Sequence, residues 1–125
     1  MKQLEVIVVD DQADLAESTG RLLRLYGHHV SVFNSGKSVL DALDHVTPDL
    51  ILSDIAMPCM DGCELAIRVK QHAGCENVIL AALSGFEDEG HRRAAEAAGF
   101  EYRFLKPMRP EQMQRFLAEI STKWD

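Results

Sequence analysis

Residues 50–62 read LILSDIAMPCMDG. An apolar run, Leu50 to Ser53, meets an acid at Asp54; Pro58, Asp61 and Gly62 then mark a turn before apolar residues resume at Leu65, Ala66 and Val69. A short apolar run without alternation suits a strand buried on both faces. Asp61 suits a helix N-cap, because its carboxylate can accept an unpaired N–H of the first turn. The stretch therefore reads as strand, acidic strand end, loop and helix, the repeating unit of an α/β domain with parallel strands.

The same unit recurs on both sides. Glu5 to Val9, His29 to Phe33, Val78 to Leu83 and Tyr102 to Leu105 are the other candidate strands. The first, third and fourth in chain order are apolar almost throughout, as interior strands must be, whereas His29 to Phe33 is mixed and suits an edge. Leu15, Thr19, Leu22, Leu23 and Tyr26 recur at helical spacing and stop at Gly27. Ser35 can cap a second helix through Val39, Leu40 and Leu43, which ends before Pro48, and a fifth begins at Pro110 with Met113, Phe116, Leu117 and Ile120 on one stripe. The fourth helix, roughly Glu87 to Ala98, rests on Ala94, Ala95, Ala97 and Ala98 without a large apolar residue, so it is expected to be the loosest element. No repeat or Gly/Ser linker divides the chain, which predicts one domain over residues 1–125.

A length of 125 residues with 46% hydrophobic content suffices for one core. The formal charge of −7 comes from carboxylates spread along the chain, which argues against direct nucleic-acid binding. No apolar run approaches the ~20 residues of a membrane span and no signal peptide opens the sequence, so a soluble cytoplasmic protein without membrane insertion is expected. Cys59, Cys63 and Cys75 match neither a zinc set nor a disulfide framework and read as reduced thiols.

Right-handed crossovers bring every strand's carboxyl end to one edge of a parallel sheet, where open α/β proteins bind ligands. Asp10 and Asp11, Asp54, Ser84 and Gly85, and Lys106 with Pro107 stand at those ends. Each alone would be a cap, a turn former or a surface lysine; their joint arrival at four strand ends is not explained that way. Three adjacent carboxylates raise one another's pKa unless a cation neutralises them, and oxygen ligands of this kind suit Mg²⁺. With its charge screened, an aspartate can attack phosphorus and form an acyl phosphate, while Ser84 and Lys106 hold the phosphoryl oxygens.

These motifs resemble the receiver domains of two-component response regulators, also found in hybrid histidine kinases, over essentially the whole chain. LILSDIAMPCMDG is similar to the family's strand, phosphorylated Asp, Met-Pro and Asp-Gly. VIVVDD at Val6 to Asp11 is similar to its acidic pair, ALSG at Ala82 to Gly85 to its hydroxyl residue, and FLKP at Phe104 to Pro107 to its Lys-Pro. The resemblance implies a five-stranded parallel sheet of order 2-1-3-4-5, a flavodoxin-like three-layer sandwich. It implies Asp54 as phosphoacceptor, Asp11 and Asp54 as direct Mg²⁺ (or Mn²⁺) ligands, Asp10 as an outer ligand, and Ala56 contributing its backbone carbonyl. Ser84 and Lys106 would contact the phosphoryl group, Pro58 and Gly62 would shape the loop, and the Lys106–Pro107 bond would be cis.

The implied activity is phosphorelay signalling with self-catalysed transfer and hydrolysis only, not turnover of a separate substrate. The implied partners are a sensor histidine kinase or a histidine phosphotransfer protein, and a downstream protein at the face of the fourth helix, fifth strand and fifth helix. Arg103 stands where the family often has Tyr or Phe, three residues before the lysine; pairing of Arg103 with Glu87, Asp88 or Glu89 on phosphorylation is the expected substitute. Tyr102 is expected to face the opposite way. Ala56 and Phe86, each two positions beyond a site residue, cannot activate water, which predicts a phosphoryl lifetime not shortened by a side-chain base.

Competing readings fit less well. An aspartate-nucleophile phosphatase wants DxD where this chain has Asp10, Asp11, Gln12, and a flavodoxin-like cofactor binder wants small hydroxyl and glycine residues after the first strand. A GTPase needs GxxxxGK[ST], which does not occur. A binding module that keeps the fold but no longer takes phosphate is less firmly excluded, since binding surfaces leave no fixed motif; the intact acid, hydroxyl and lysine set speaks against it.

Overall fold

The computed structural model describes residues 2–85 and 92–124, the side chain of Trp124 excepted. Five strands alternate with five helices: β1 Glu5–Val9, α1 Ala13–Leu25, β2 His29–Phe33, α2 Gly36–Ala42, β3 Leu50–Asp54, α3 Gly62–Gln71, β4 Ile79–Ser84, α4 Arg92–Ala98, β5 Tyr102–Leu105 and α5 Pro110–Ser121, followed by a tight turn at Thr122–Trp124. The strands form one parallel sheet in the order β2-β1-β3-β4-β5, as the family resemblance implies. The mixed strand β2 lies at an edge, while β1, β3 and β4 are interior.

Alternation along each strand sorts the core into two layers. Ile7, Val9, Ile51, Leu80 and Ala82 meet Val39, Leu65, Val69, Ala95 and Ala98 of α2, α3 and α4. Val6, Val8, Leu50, Leu52, Ile79 and Ala81 meet Ala16 and Leu23 of α1 and Met113, Phe116, Leu117 and Ile120 of α5. Tyr102 and Phe104 both stand edge-on to Phe116 with ring centroids 5.0 Å apart, so Tyr102 lies on the α5 side. Arg103 has the opposite phase and lines a cavity of about 360 Å³ with Arg92, Ala95 and Phe100 on the α4 side.

The predicted caps form. Ser35 Oγ accepts the Ser38 N–H at 3.2 Å and Asp61 Oδ1 accepts the Glu64 N–H at 2.9 Å. Gly27 follows α1 with φ +91°, the left-handed region that glycine enters without a Cβ clash. All three cysteines are free. Among the described residues no helix is long and apolar enough to cross a membrane.

Three expectations are corrected. β3 and β4 run one residue further than expected, to Asp54 and Ser84, because both residues remain in the parallel ladder with β4 and β5. Of the expected α1 stripe, Leu23 is buried and Leu22 and Tyr26 pack against the core, but Leu15 is 36% exposed, and Ala16 and Gly20 complete the buried face. In α4 only Ala95 and Ala98 are buried; Ala94 and Ala97 point outward. The expected start of that helix at Glu87, together with Phe86, Asp88 and Glu89, lies outside the described residues.

Candidate functional site

Asp10 directly follows β1, Asp54 ends β3, Ser84 ends β4 and Lys106 directly follows β5, so four parallel strands deliver them to one edge. Asp10 continues the phase of Val6 and Val8, Asp54 that of Leu50 and Leu52, and Lys106 that of Tyr102 and Phe104, which turns all three toward the α1 and α5 side. The distances agree: Lys106 Nζ lies 3.2 Å from Asp10 Oδ2 and 3.1 Å from Asp54 Oδ1. One carboxylate oxygen from each of Asp10, Asp11 and Asp54 falls within 4.8 Å of the other two.

Burial sets the electrostatics. Asp10 and Asp54 are 2% and 3% exposed, whereas Asp11 is open to solvent. Burial pushes the Asp54 carboxyl up to about 6 against the lowering pull of Lys106, and the neighbouring Asp10 and Asp11 add to the rise. For Lys106, burial acts downward, but the Asp54 and Asp10 carboxylates outweigh it and the net shift is upward. The cluster has more negative charge than one lysine balances, which is the condition that favours a second cation.

The supporting contacts are local and specific. Asp10 Oδ1 accepts the Gln12 N–H at 2.9 Å, and the Lys106 N–H donates to the Ser84 carbonyl at 2.9 Å. Ser53 Oγ donates to the Asp54 carbonyl at 2.8 Å. Gly62 donates its N–H to the Ile55 carbonyl at 2.8 Å, and a Cβ at Gly62 would run into the Asp54 carbonyl oxygen, so only glycine lets α3 start this close to β3. Cys59 adopts φ 70° while Met60 N–H reaches the Pro58 carbonyl at 2.7 Å, a γ-turn that folds the loop over. Lys106–Pro107 is cis.

The Ser84 hydroxyl is 1% exposed and has no hydrogen-bond partner among the described residues, an unsatisfied donor at the edge of a site rich in charge. Asp11, Gln12, Leu15, Asp54, Ala56, Gly85, Lys106 and Pro107 line a groove of about 460 Å³ above the cluster. Asp10, Asp11, Asp54, Ser84 and Lys106 are thus at this edge, with Ala56 as part of the groove wall, whereas Phe86 lies outside the described residues. Sequence reasoning missed the Gln12 amide, the Ser53 hydroxyl and the exposed Leu15 at the rim. The first follows the Asx-turn pattern two residues after an aspartate and was open to detection; a hydroxyl in an apolar strand gives no comparable signal.

The chain matches the response regulator receiver domain family over residues 6–118. It is 34% identical over 119 residues to an uncharacterized 14.6 kDa protein of Leptolyngbya boryana, covering 95% of this chain and 91% of that protein. It is 41% identical over 81 residues to the DNA-binding transcriptional regulator NtrC of Klebsiella pneumoniae, covering 64% of this chain but 17% of that longer regulator. Its fold superposes with a TM-score of 0.84, at 23% identity and covering 94% and 97% of the two chains, on the receiver domain of a Pseudomonas aeruginosa sensor histidine kinase that has a magnesium ion coordinated in its active site cleft. The sheet order, the strand-end cluster and the match through residue 118 agree: the chain belongs to the response regulator receiver domain family.

Proposed function

We propose that the chain is a phosphoacceptor: Asp54 takes a phosphoryl group from a phosphohistidine on a sensor histidine kinase or a histidine phosphotransfer protein. The observation that carries this reading is the buried Asp54 carboxylate held 3.1 Å from Lys106 Nζ, with Asp10 and Asp11 beside it. An Asp54 oxygen attacks phosphorus, the P–N bond breaks, and the imidazole leaves with the bonding pair. Lys106 moves its contact to the phosphoryl oxygens, and the unpartnered Ser84 hydroxyl donates to another, so both stabilise charge where it spreads.

Asp11, Asp54 and the Ala56 carbonyl would hold Mg²⁺ directly and Asp10 through water; the donors are all oxygen and carry surplus negative charge, which fits a hard cation. The ion supplies charge neutralisation for the carboxylates and the incoming phosphoryl group. Magnesium in the cleft of the Pseudomonas receiver domain supports this choice. Hydrolysis returns Asp54 to its free form, and Ala56, with a methyl side chain, offers no base for it. Such a donor belongs in the cytoplasm. Output would pass through the face of α4, β5 and α5, where Leu105 of β5 is exposed.

Incubation with Mg²⁺ and a small acyl phosphate, followed by intact-mass measurement, tests the acceptor. Wild type is expected to gain one phosphoryl mass and Asp54→Asn none. An unmodified wild type, under conditions that modify another receiver domain, would overturn the reading in favour of a module that only binds partners.

A further inference from the structure

Among the described residues Asp10 makes four hydrogen bonds outside the ladder, and one comes from a side chain outside the strand-end cluster. Its N–H donates to the Phe33 carbonyl at 3.1 Å, Oδ1 accepts from Gln12 and Oδ2 from Lys106, while its backbone carbonyl accepts from Asn34 Nδ2 at 3.0 Å. Asn34 lies between β2 and α2, 24 residues away. Because β1 and β2 stay in register up to Val9 and Phe33, the loop leaving β2 runs beside the residue leaving β1. A carbonyl partner identifies the contacting amide atom as nitrogen, the only donor on an asparagine side chain.

The Asp10 carbonyl belongs to the planar peptide that joins Asp10 to Asp11. Fixing its oxygen fixes the Asp11 nitrogen and Cα, the base from which Asp11 projects its carboxylate. Asp11 is the exposed member of the cluster, so core packing does not orient it. We propose that Asn34 is a positioning residue: its amide pins the Asp10–Asp11 peptide and so presents Asp11 to a divalent cation. The proposal rests on the Mg²⁺ reading above, because it concerns the same carboxylates. Asn34 touches neither cation nor phosphoryl group and acts through the backbone. It is itself exposed, so replacing it leaves the core intact.

Calorimetric Mg²⁺ titration of wild type, Asn34→Ala and Asn34→His tests this, together with initial rates of adduct formation from a small acyl phosphate at limiting and saturating Mg²⁺. Histidine keeps a ring N–H at the same bond distance from Cβ as the asparagine amide nitrogen. Asn34→Ala is expected to bind Mg²⁺ about threefold to tenfold more weakly. Its rate loss at limiting Mg²⁺ is expected to vanish at saturation, and Asn34→His to recover affinity. Wild-type affinity in Asn34→Ala, an equal loss in Asn34→His, or a melting temperature in chelator that falls in step with affinity would overturn the proposal. Wild type that binds Mg²⁺ without forming an adduct overturns the acceptor reading, and the titration still decides Asn34; wild type that binds no Mg²⁺ overturns both.

Discussion

At Gly62 the first turn of α3 passes so close to β3 that a single methyl group has nowhere to go: the nearest atoms are backbone, the Asp54 carbonyl and Ile55 Cα, and cannot rotate aside. Gly62→Ala is expected to lower stability by about 2 kcal/mol, the scale of an overpacked site, read as a shift in the urea midpoint. A midpoint equal to wild type would show that the loop yields freely. His28 poses the opposite problem, a polar group in a dry place. It is 5% exposed, its Nδ1 accepts the Leu4 N–H at 3.0 Å, and its Nε2 has no partner among the described residues. Burial holds this imidazole below its ordinary value of 6.5. A base depressed in the fold contributes stability that is fully present above 6.5 and is lost as pH falls from there through the folded value. His28→Asn keeps an acceptor for Leu4 without titrating. The wild type is therefore expected to lose stability relative to this variant on acidification, measured as urea midpoints at a series of pH values; a pH-independent difference would sink the account.

Among the elements, α5 and α4 mark the two ends of legibility. α5 opens on Pro110, and Met113, Phe116, Leu117 and Ile120 all reach the core, so both period and start were readable. α4 buries two alanines, and alanine contributes equally to buried and exposed helix faces, so the sequence does not say which alanines point inward. The same ambiguity hid the inward face of α1, where Ala16 and Gly20 approach the sheet and the bulkier Leu15 does not. Size predicts burial only where the helix stands off far enough to need a large side chain. Backbone amides of residues 92–98 are accordingly expected to exchange hydrogen faster than those of 110–121, because far less apolar area holds them down. Equal protection of the two helices in native-state exchange would contradict this. Strand ends were readable to within one residue, since ladders continue until the backbone turns, and a terminal Asp54 or Ser84 does not announce that it still pairs.

For the molecule as a whole, parallel order and side-chain alternation together deliver Asp10, Asp54 and Lys106 to one corner, and both rules operate on sequence alone. That is why the cluster was legible before any coordinate. The Asn34 link was not, because it joins two loops whose proximity depends on the register of β1 with β2. The position of Lys106 has a further effect on how the corner fills. Its ammonium already sits between two acids, so a divalent cation held as proposed would share those carboxylates with a resident positive charge. Its affinity would then be attraction to the carboxylates less repulsion from the ammonium. Lys106→Met is therefore expected to take up Mg²⁺ more tightly by titration, yet to form the Asp54 adduct more slowly, since under the proposed function the lost ammonium is the group that would engage the phosphoryl oxygens. A phosphoryl group on Asp54 would relieve that repulsion by giving the lysine a partner of its own, so phosphorylation and cation binding would favour each other.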